Sequence, residues 1–170
     1  VSNLDHPREG QEVLVDAVAE LRRQGYPATG LIVGDGNRRP GLIERAKAAG
    51  VAEHVVFTGK VPFDDVAAYY AQIDLFVVPR IDERAARMVS PMKPFEAMAM
   101  RIPNLVADLP ALVEISGGGT RAGLFKAGDP SSLASGQSPQ RLAQHPVGQP
   151  QRRGDRRGLG LGGIPALGVE

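Results

Sequence analysis

The sequence predicts an α/β fold built on a doubly wound parallel sheet, and three observations predict it. Strand signals and helix signals alternate from about residue 11 to residue 129. The strands read as continuous Val, Ile, Leu and Phe runs rather than as apolar–polar alternation, the pattern of strands buried on both faces. Hydrophobic residues make up 42% of the chain but aromatics only 5%, with no Trp, so the core between those layers has to be aliphatic.

The elements follow in order. In "QEVLVDAVAELRRQG", Val13, Leu14, Ala17, Val18 and Leu21 fall on one helical face, and Gly25 stands where such a helix stops. "TGLIVGDG" is a short apolar strand that ends in a glycine turn. "RPGLIERAKAAG" carries Pro40 early and Gly50 late, the asymmetry expected of a helix. "HVVFTG" is again a strand. "PFDDVAAYYAQ" is a short helix with acidic residues in its first turn, where they suit the helix dipole. "IDLFVVP" is a buried strand stopped by Pro79, and a polar loop follows. Then come a helix in "SPMKPFEAMAM", a strand in "PNLVAD", a helix in "PALVEIS" and a strand in "GLFKAGD". Ligands of such sheets sit outside the carboxyl ends of the strands, which directs attention to the turns after Val33, Thr58, Val78 and Ala107.

Residues 1–134 are therefore expected to form one domain, with residues 135–170 a separate tail. The tail holds eight glycines, four prolines and five glutamines in 36 residues and has no periodicity, a composition that cannot bury enough surface to offset chain entropy. It carries a net +3 and the body a net −2. The acidic body argues against a nucleic-acid surface, and the arginine pairs of the tail are read as a solvated segment. Without Cys there are no disulfides or thiolate metal sites. His6, His54 and His145 lie far apart and suggest no metal site and no Ser/His/Asp arrangement. No apolar run approaches the roughly 20 residues a membrane span needs, and "VSNLDHPREG" is not a signal peptide, so the expected location is cytoplasmic. The absence of an initiator Met fits a fragment or a processed chain.

Three stretches bear on chemistry. "GDGNRRPG" has two glycines of a dinucleotide fingerprint, but Arg39 stands in place of the third; it is either a tight strand-to-helix turn or a turn beside a phosphate. In "TGKVPF", Gly59 permits an unusual backbone angle or a close ligand, and Lys60 could meet an anion or simply be solvated. In "PRIDERAARMVSPMKPFEAMAM", Pro94 suits the first helical position, which puts Phe95, Glu96 and Ala97 in the first turn. Ser90 and Lys93 add a hydroxyl and a cation, and Arg80, Arg84 and Arg87 crowd the same loop. The free N–H groups and positive dipole end of such a helix suit a diphosphate. A charged, solvated loop over an Ala/Met core helix is the competing reading, and the residues alone leave both open. Met92, Met98 and Met100 are read as packing residues.

Taken in order, "EGQEVLVDAVAELRRQG", "LIVGDG", "VVFTGKVPFDDVAAYYAQIDLFVVPR", "SPMKPFEAMAM", "LVADLPALVEI" and "GLFKAGD" resemble the C-terminal domain of GT-B glycosyltransferases of family 4, also called group 1, over roughly residues 8–134. The resemblance implies a Rossmann-like domain that holds a UDP- or GDP-linked sugar. It implies transfer of that sugar to an acceptor with retention, in glycan or polysaccharide synthesis, without a metal or other cofactor. It further implies nucleobase contacts at Gly59, Lys60 and Val61, and a ribose contact at Glu96. Backbone N–H contacts to the diphosphate and sugar would come from Val89, Ser90, Met92 and Lys93. The acceptor, a glycan or lipid, would be held by an N-terminal domain absent from this chain, so the chain alone is expected to be inactive; the parent could associate peripherally with a membrane.

The chain departs from the family pattern in three ways. Met88 stands where a sugar-contacting glutamate is often found, and Arg80, Arg84 or Arg87 is expected to take over its contact. Glu9 stands where a lysine often precedes the residue matching Gly10, and the first strand of the sheet is missing, which would leave its neighbours unpaired. After "AGDPSSLA" the family's amphipathic helices give way to the Gly/Pro/Gln/Arg-rich tail, read as disordered or as translated out of frame. A non-catalytic nucleotide-binding module and a non-functional gene remnant are the alternative readings.

Overall fold

The computed structural model describes residues 2–136 and 166–169. Among these, seven strands form one sheet: β1 (Ser2–Asn3), β2 (Thr29–Asp35), β3 (Val55–Gly59), β4 (Leu75–Val78), β5 (Asn104–Ala107), β6 (Gly123–Phe125) and β7 (Ala166–Val169). Seven α-helices accompany them: α1 (Gln11–Arg23), α2 (Arg39–Ala48), α3 (Val66–Tyr70), α4 (Arg84–Met88), α5 (Lys93–Ala99), α6 (Pro110–Ser116) and α7 (Pro130–Gly136). Every strand pair is parallel. α1, α2 and α7 pack as one group and α4 and α6 contact each other, while α5 lies on β4 and β5. This is the doubly wound architecture that the alternating signals predict.

The strand order runs β3, β2, then a shared position, then β4, β5 and β6. The shared position holds two segments end to end. β7 pairs with β2 from Thr29 to Ile32 and with β4 from Leu75 to Val77, and β1 pairs with β2 at Gly34 and Asp35. The place where the order reverses, between this position and β4, is where a crevice opens at the carboxyl ends of the strands.

Two differences from the sequence reading arise here. The vacancy expected between β2 and β4 is filled by Ala166–Val169, from the segment expected to have no structure. The physical reason is the demand of two interior edges for backbone partners, which an apolar Ala-Leu-Gly-Val run can meet with any side-chain pattern. Helix α7 also carries the ordered body two residues past the expected boundary, to Gly136. The remainder of the tail reading, residues 137–165 and 170, lies outside the described residues.

The core is aliphatic as composition requires. Leu14, Val15, Ala17 and Val18 of α1 are fully buried against Ile32 and Leu42, and Phe76, Val77, Val78, Val106 and Leu112 fill the other half. Each such Leu or Val contributes about 1.5–3 kcal/mol relative to exposure, so this core, more than helix propensity, holds the sheet together. Met98 and Met100 pack against it as expected, whereas Met92 stands 69% exposed on the loop before α5.

Candidate functional site

The turns after β1, β3 and β4 converge at the carboxyl end of the sheet. In the "GDG" turn after β2, a Cβ on Gly36 would come within 2.5 Å of the Leu4 backbone carbon, so the glycine is needed by the chain's own packing. Gly59 is the opposite case. It ends β3 at φ +72°, and nothing lies within 4 Å of where its Cβ would be. The backbone there is left-handed and open on one side, next to the exposed Lys60 and half-buried Val61.

The loop after β4 is organised by Arg80. This residue is buried; its Nε donates to Glu9 Oε2 at 3.3 Å and its Nη1 donates to the Val89 carbonyl at 2.8 Å. Arg8 Nε donates to the other Glu9 oxygen at 3.1 Å. Glu9 closes a 3-10 turn at Pro7–Glu9, and Gly10 follows at φ +70°, so close to β4 that a Cβ would lie 1.9 Å from the Pro79 carbonyl oxygen. The sequence reading had Arg80 among the cations expected at the donor sugar. It is instead a buried strut that fastens Val89 to the turn before α1. The substitution of Glu9 for a family lysine is part of the same arrangement: a carboxylate there supplies the partner that a buried guanidinium requires.

The expected polar loop after Arg80 contains a helix, α4, with Glu83 extended at its N-cap and Ala86 fully buried. Arg84 is exposed at its first position. Arg87 is engaged by Asp82 through two bonds of 2.5 and 2.7 Å. The hydrogen bonds and charge of this pair hold the Asp82 carboxyl below the usual carboxylate range and Arg87 above its ordinary value. Val89 was expected to offer its N–H to a ligand; that group donates to the Ala85 carbonyl at 3.1 Å, ending α4. Ser90 and Met92 are exposed, Pro91 is buried and Lys93 begins α5, one residue ahead of the expected start.

Glu96 stands exposed on α5, and its Oε2 accepts a hydrogen bond from Tyr70 Oη at 3.0 Å. Tyr70 is buried at the end of α3, with its ring 5.6 Å from that of Phe76 on β4. This contact joins the segment that follows Gly59–Val61 to the segment that carries Glu96, so the two groups of expected site residues share one end of the sheet. Tyr70 and Glu9 were missed as site residues. Their signals, a tyrosine pair in "VAAYYAQ" and an acid beside a glycine, are each too common to stand out. Around the loop lie exposed apolar side chains, Phe63, Met88, Val89, Met92 and Phe95. No group of three or more His, Asp or Glu able to hold a metal occurs among the described residues, and none of the helices described is long and apolar enough to cross a membrane.

A family model described as glycosyl transferases group 1 matches residues 1–137. The GDP-mannose-dependent alpha-(1-6)-phosphatidylinositol monomannoside mannosyltransferase of Mycolicibacterium smegmatis is 46% identical over 74 residues, which are 43% of this chain and 19% of that protein. The phosphatidyl-myo-inositol mannosyltransferase of Mycobacterium leprae is 32% identical over 130 residues, 76% of this chain and 33% of that protein. The chain thus spans a third or less of these curated relatives. Among solved structures, the C-terminal domain of the group 1 glycosyl transferase LpcC from Francisella tularensis superposes with a TM-score of 0.68 at 18% identity, covering 84% of this chain and 76% of that one. Anabaena HepE in complex with UDP gives 0.68 at 23% identity over 84% of this chain and 40% of that one.

Proposed function

The chain belongs to the glycosyl transferases group 1 family, and from that premise we propose that it is the donor-binding portion of a glycosyltransferase that moves a sugar from a nucleoside diphosphate to an acceptor with retention. The observation that carries this reading is that an open left-handed Gly59 and an exposed carboxylate at Glu96 both lie at or beyond the carboxyl ends of parallel strands, β3 and β4. A flat base can lie against Gly59, Lys60 and Val61, where a side chain would obstruct it. The Glu96 carboxylate can accept hydrogen bonds from both ribose hydroxyls. The segment Ser90–Lys93 lies between them in function, with Arg84 and Arg87 beside it to meet the diphosphate. In transfer, charge grows on the departing diphosphate, and fixed donors and cations aimed there lower the barrier. A GDP-mannose-type donor is favoured by the GDP-mannose dependence of the Mycolicibacterium smegmatis relative, and UDP is the alternative that HepE supplies. The acceptor, a glycan or lipid, would be held by polypeptide outside this chain, in the cytoplasm and peripherally at a membrane surface if it is a lipid.

Titration calorimetry with GDP and with UDP tests the reading. Binding of one of them, weakened about tenfold or more by Glu96→Ala through loss of charge-assisted bonds, is the expected result. Absence of binding to either nucleotide, or equal binding by the Glu96→Ala variant, would overturn it.

A further inference from the structure

We propose that Tyr70 is a positioning residue for Glu96, and that through this carboxylate it sets how strongly the chain distinguishes a ribonucleotide from its deoxy analogue. The inference rests on the reading of Glu96 as the ribose contact. Glu96 is an exposed glutamate on a seven-residue helix, and such a side chain would ordinarily sample several rotamers. Here one oxygen is pinned. Tyr70 Oη donates to Oε2 at 3.0 Å, and Tyr70 itself has little freedom: it is 6% exposed and its ring rests on Phe76, which is 1% exposed in the middle of the sheet.

The consequence is one of preorganisation. Two neighbouring ribose hydroxyls can both donate to one carboxylate only if its plane faces them. A bond to one oxygen from a rigid donor fixes that plane before the ligand arrives, so less rotamer freedom is lost on binding. A carboxylate has about four acceptor positions, so the tyrosine bond leaves capacity on both oxygens. Tyr70 touches no ligand in this scheme and acts only through Glu96. It also links the two halves of the proposed site, since α3 follows the Gly59–Val61 turn and α5 follows the loop after β4.

The test compares GDP with 2′-deoxy-GDP, and UDP with 2′-deoxy-UDP, by calorimetry on the wild-type chain, Tyr70→Phe, Glu96→Gln and the double variant. The wild type is expected to prefer the ribonucleotide by about tenfold or more. Tyr70→Phe removes only an oxygen and is expected to weaken the ribonucleotide by about threefold to tenfold, leaving the deoxynucleotide within about twofold. In the Glu96→Gln background the same change should no longer alter the ratio, because the tyrosine then has no carboxylate to orient. Equal weakening of both nucleotides by Tyr70→Phe, or an unchanged ratio, would overturn the inference, and additivity in the double variant would do the same even if Tyr70→Phe lowered stability. The two levels separate cleanly. If Glu96→Gln leaves the ratio intact, or neither nucleotide binds, the ribose-contact reading fails and the Tyr70 inference fails with it. If Glu96→Gln collapses the ratio and Tyr70→Phe does not, only the Tyr70 inference fails.

Discussion

Arg80 is a cation in the interior, and its environment determines what its removal does. Its side chain is 8% exposed and that of Glu9 is 11% exposed, so truncating either partner leaves a charge in a poorly hydrated place. Arg80→Met is expected to lower stability by about 1–3 kcal/mol, because Glu9 loses one of its two cationic partners and keeps Arg8, whereas Glu9→Leu with Arg80→Met should recover most of the loss, because the pair gains little over apolar packing of similar volume. Urea unfolding of the two variants checks this. A double variant as unstable as the single one would show that the interior charge is not what matters. Nucleotide affinity should not recover in the double variant, because the Val89 carbonyl has still lost the guanidinium that fastens it. This strut could not be read from the sequence. Its partners are 71 residues apart, and a lone Arg or Glu in a loop ordinarily signals only a solvated surface. The place of Glu96 on its helix, by contrast, was legible because it follows from a local pattern, a proline at the helix start with an acid in the first turn.

At the scale of elements, α4 is the clearest difference between the sequence reading and the structure. Five residues, Arg84–Met88, are too few to display a helical period, and a pair of alanines between Asp82, Glu83 and Arg84 on one side and Arg87 on the other looks like loop. What fixes the turn is tertiary: Ala86 is buried, α4 contacts α6, and Arg87 bonds back to Asp82. The Asp82–Arg87 pair has a pH dependence whose sign follows from its depressed carboxyl. Asp82 titrates lower in the folded chain than in the unfolded one, so whatever the pair contributes is present above the unfolded value and is lost as pH falls through the folded one. Both side chains are exposed, so salt should screen the effect. NMR titration of Asp82 is expected to show a midpoint below that in Arg87→Gln, with 1 M salt raising it; identical midpoints in the two proteins would mean the pair does not persist in solution. The longer elements, α1 and β2 among them, needed no such tertiary help to be recognised, because 13 residues with one apolar face, and an apolar Leu31-Ile32-Val33 run bounded by glycines, carry their own signal.

At the scale of the whole molecule, the sheet depends on a strand supplied from the far end of the chain. β7 lies between β2 and β4, the interior position most costly to leave empty, since both neighbours would then present unpaired N–H and C=O groups. Ending the chain at Gly136 removes those ladder bonds, at roughly 1 kcal/mol each. The truncated chain is expected to unfold at lower denaturant and to self-associate through the exposed edges, measurable by urea denaturation and sedimentation velocity. Unchanged stability and a monomeric truncation would show that β7 contributes nothing to the sheet. The parallel architecture was legible because buried strands announce themselves by apolar runs, but the identity of the filler was not, because backbone pairing sets few demands on side chains. The end-to-end arrangement of β7 and β1 has a topological corollary. Val169 lies opposite Ile32 and Ser2 opposite Gly34, so β7 and β1 follow one another along the same edge of β2. One slot of the sheet is thus shared by segments from opposite ends of the sequence, so completing it is the most non-local step the described fold asks of the chain, and loop-closure entropy places that step late in folding.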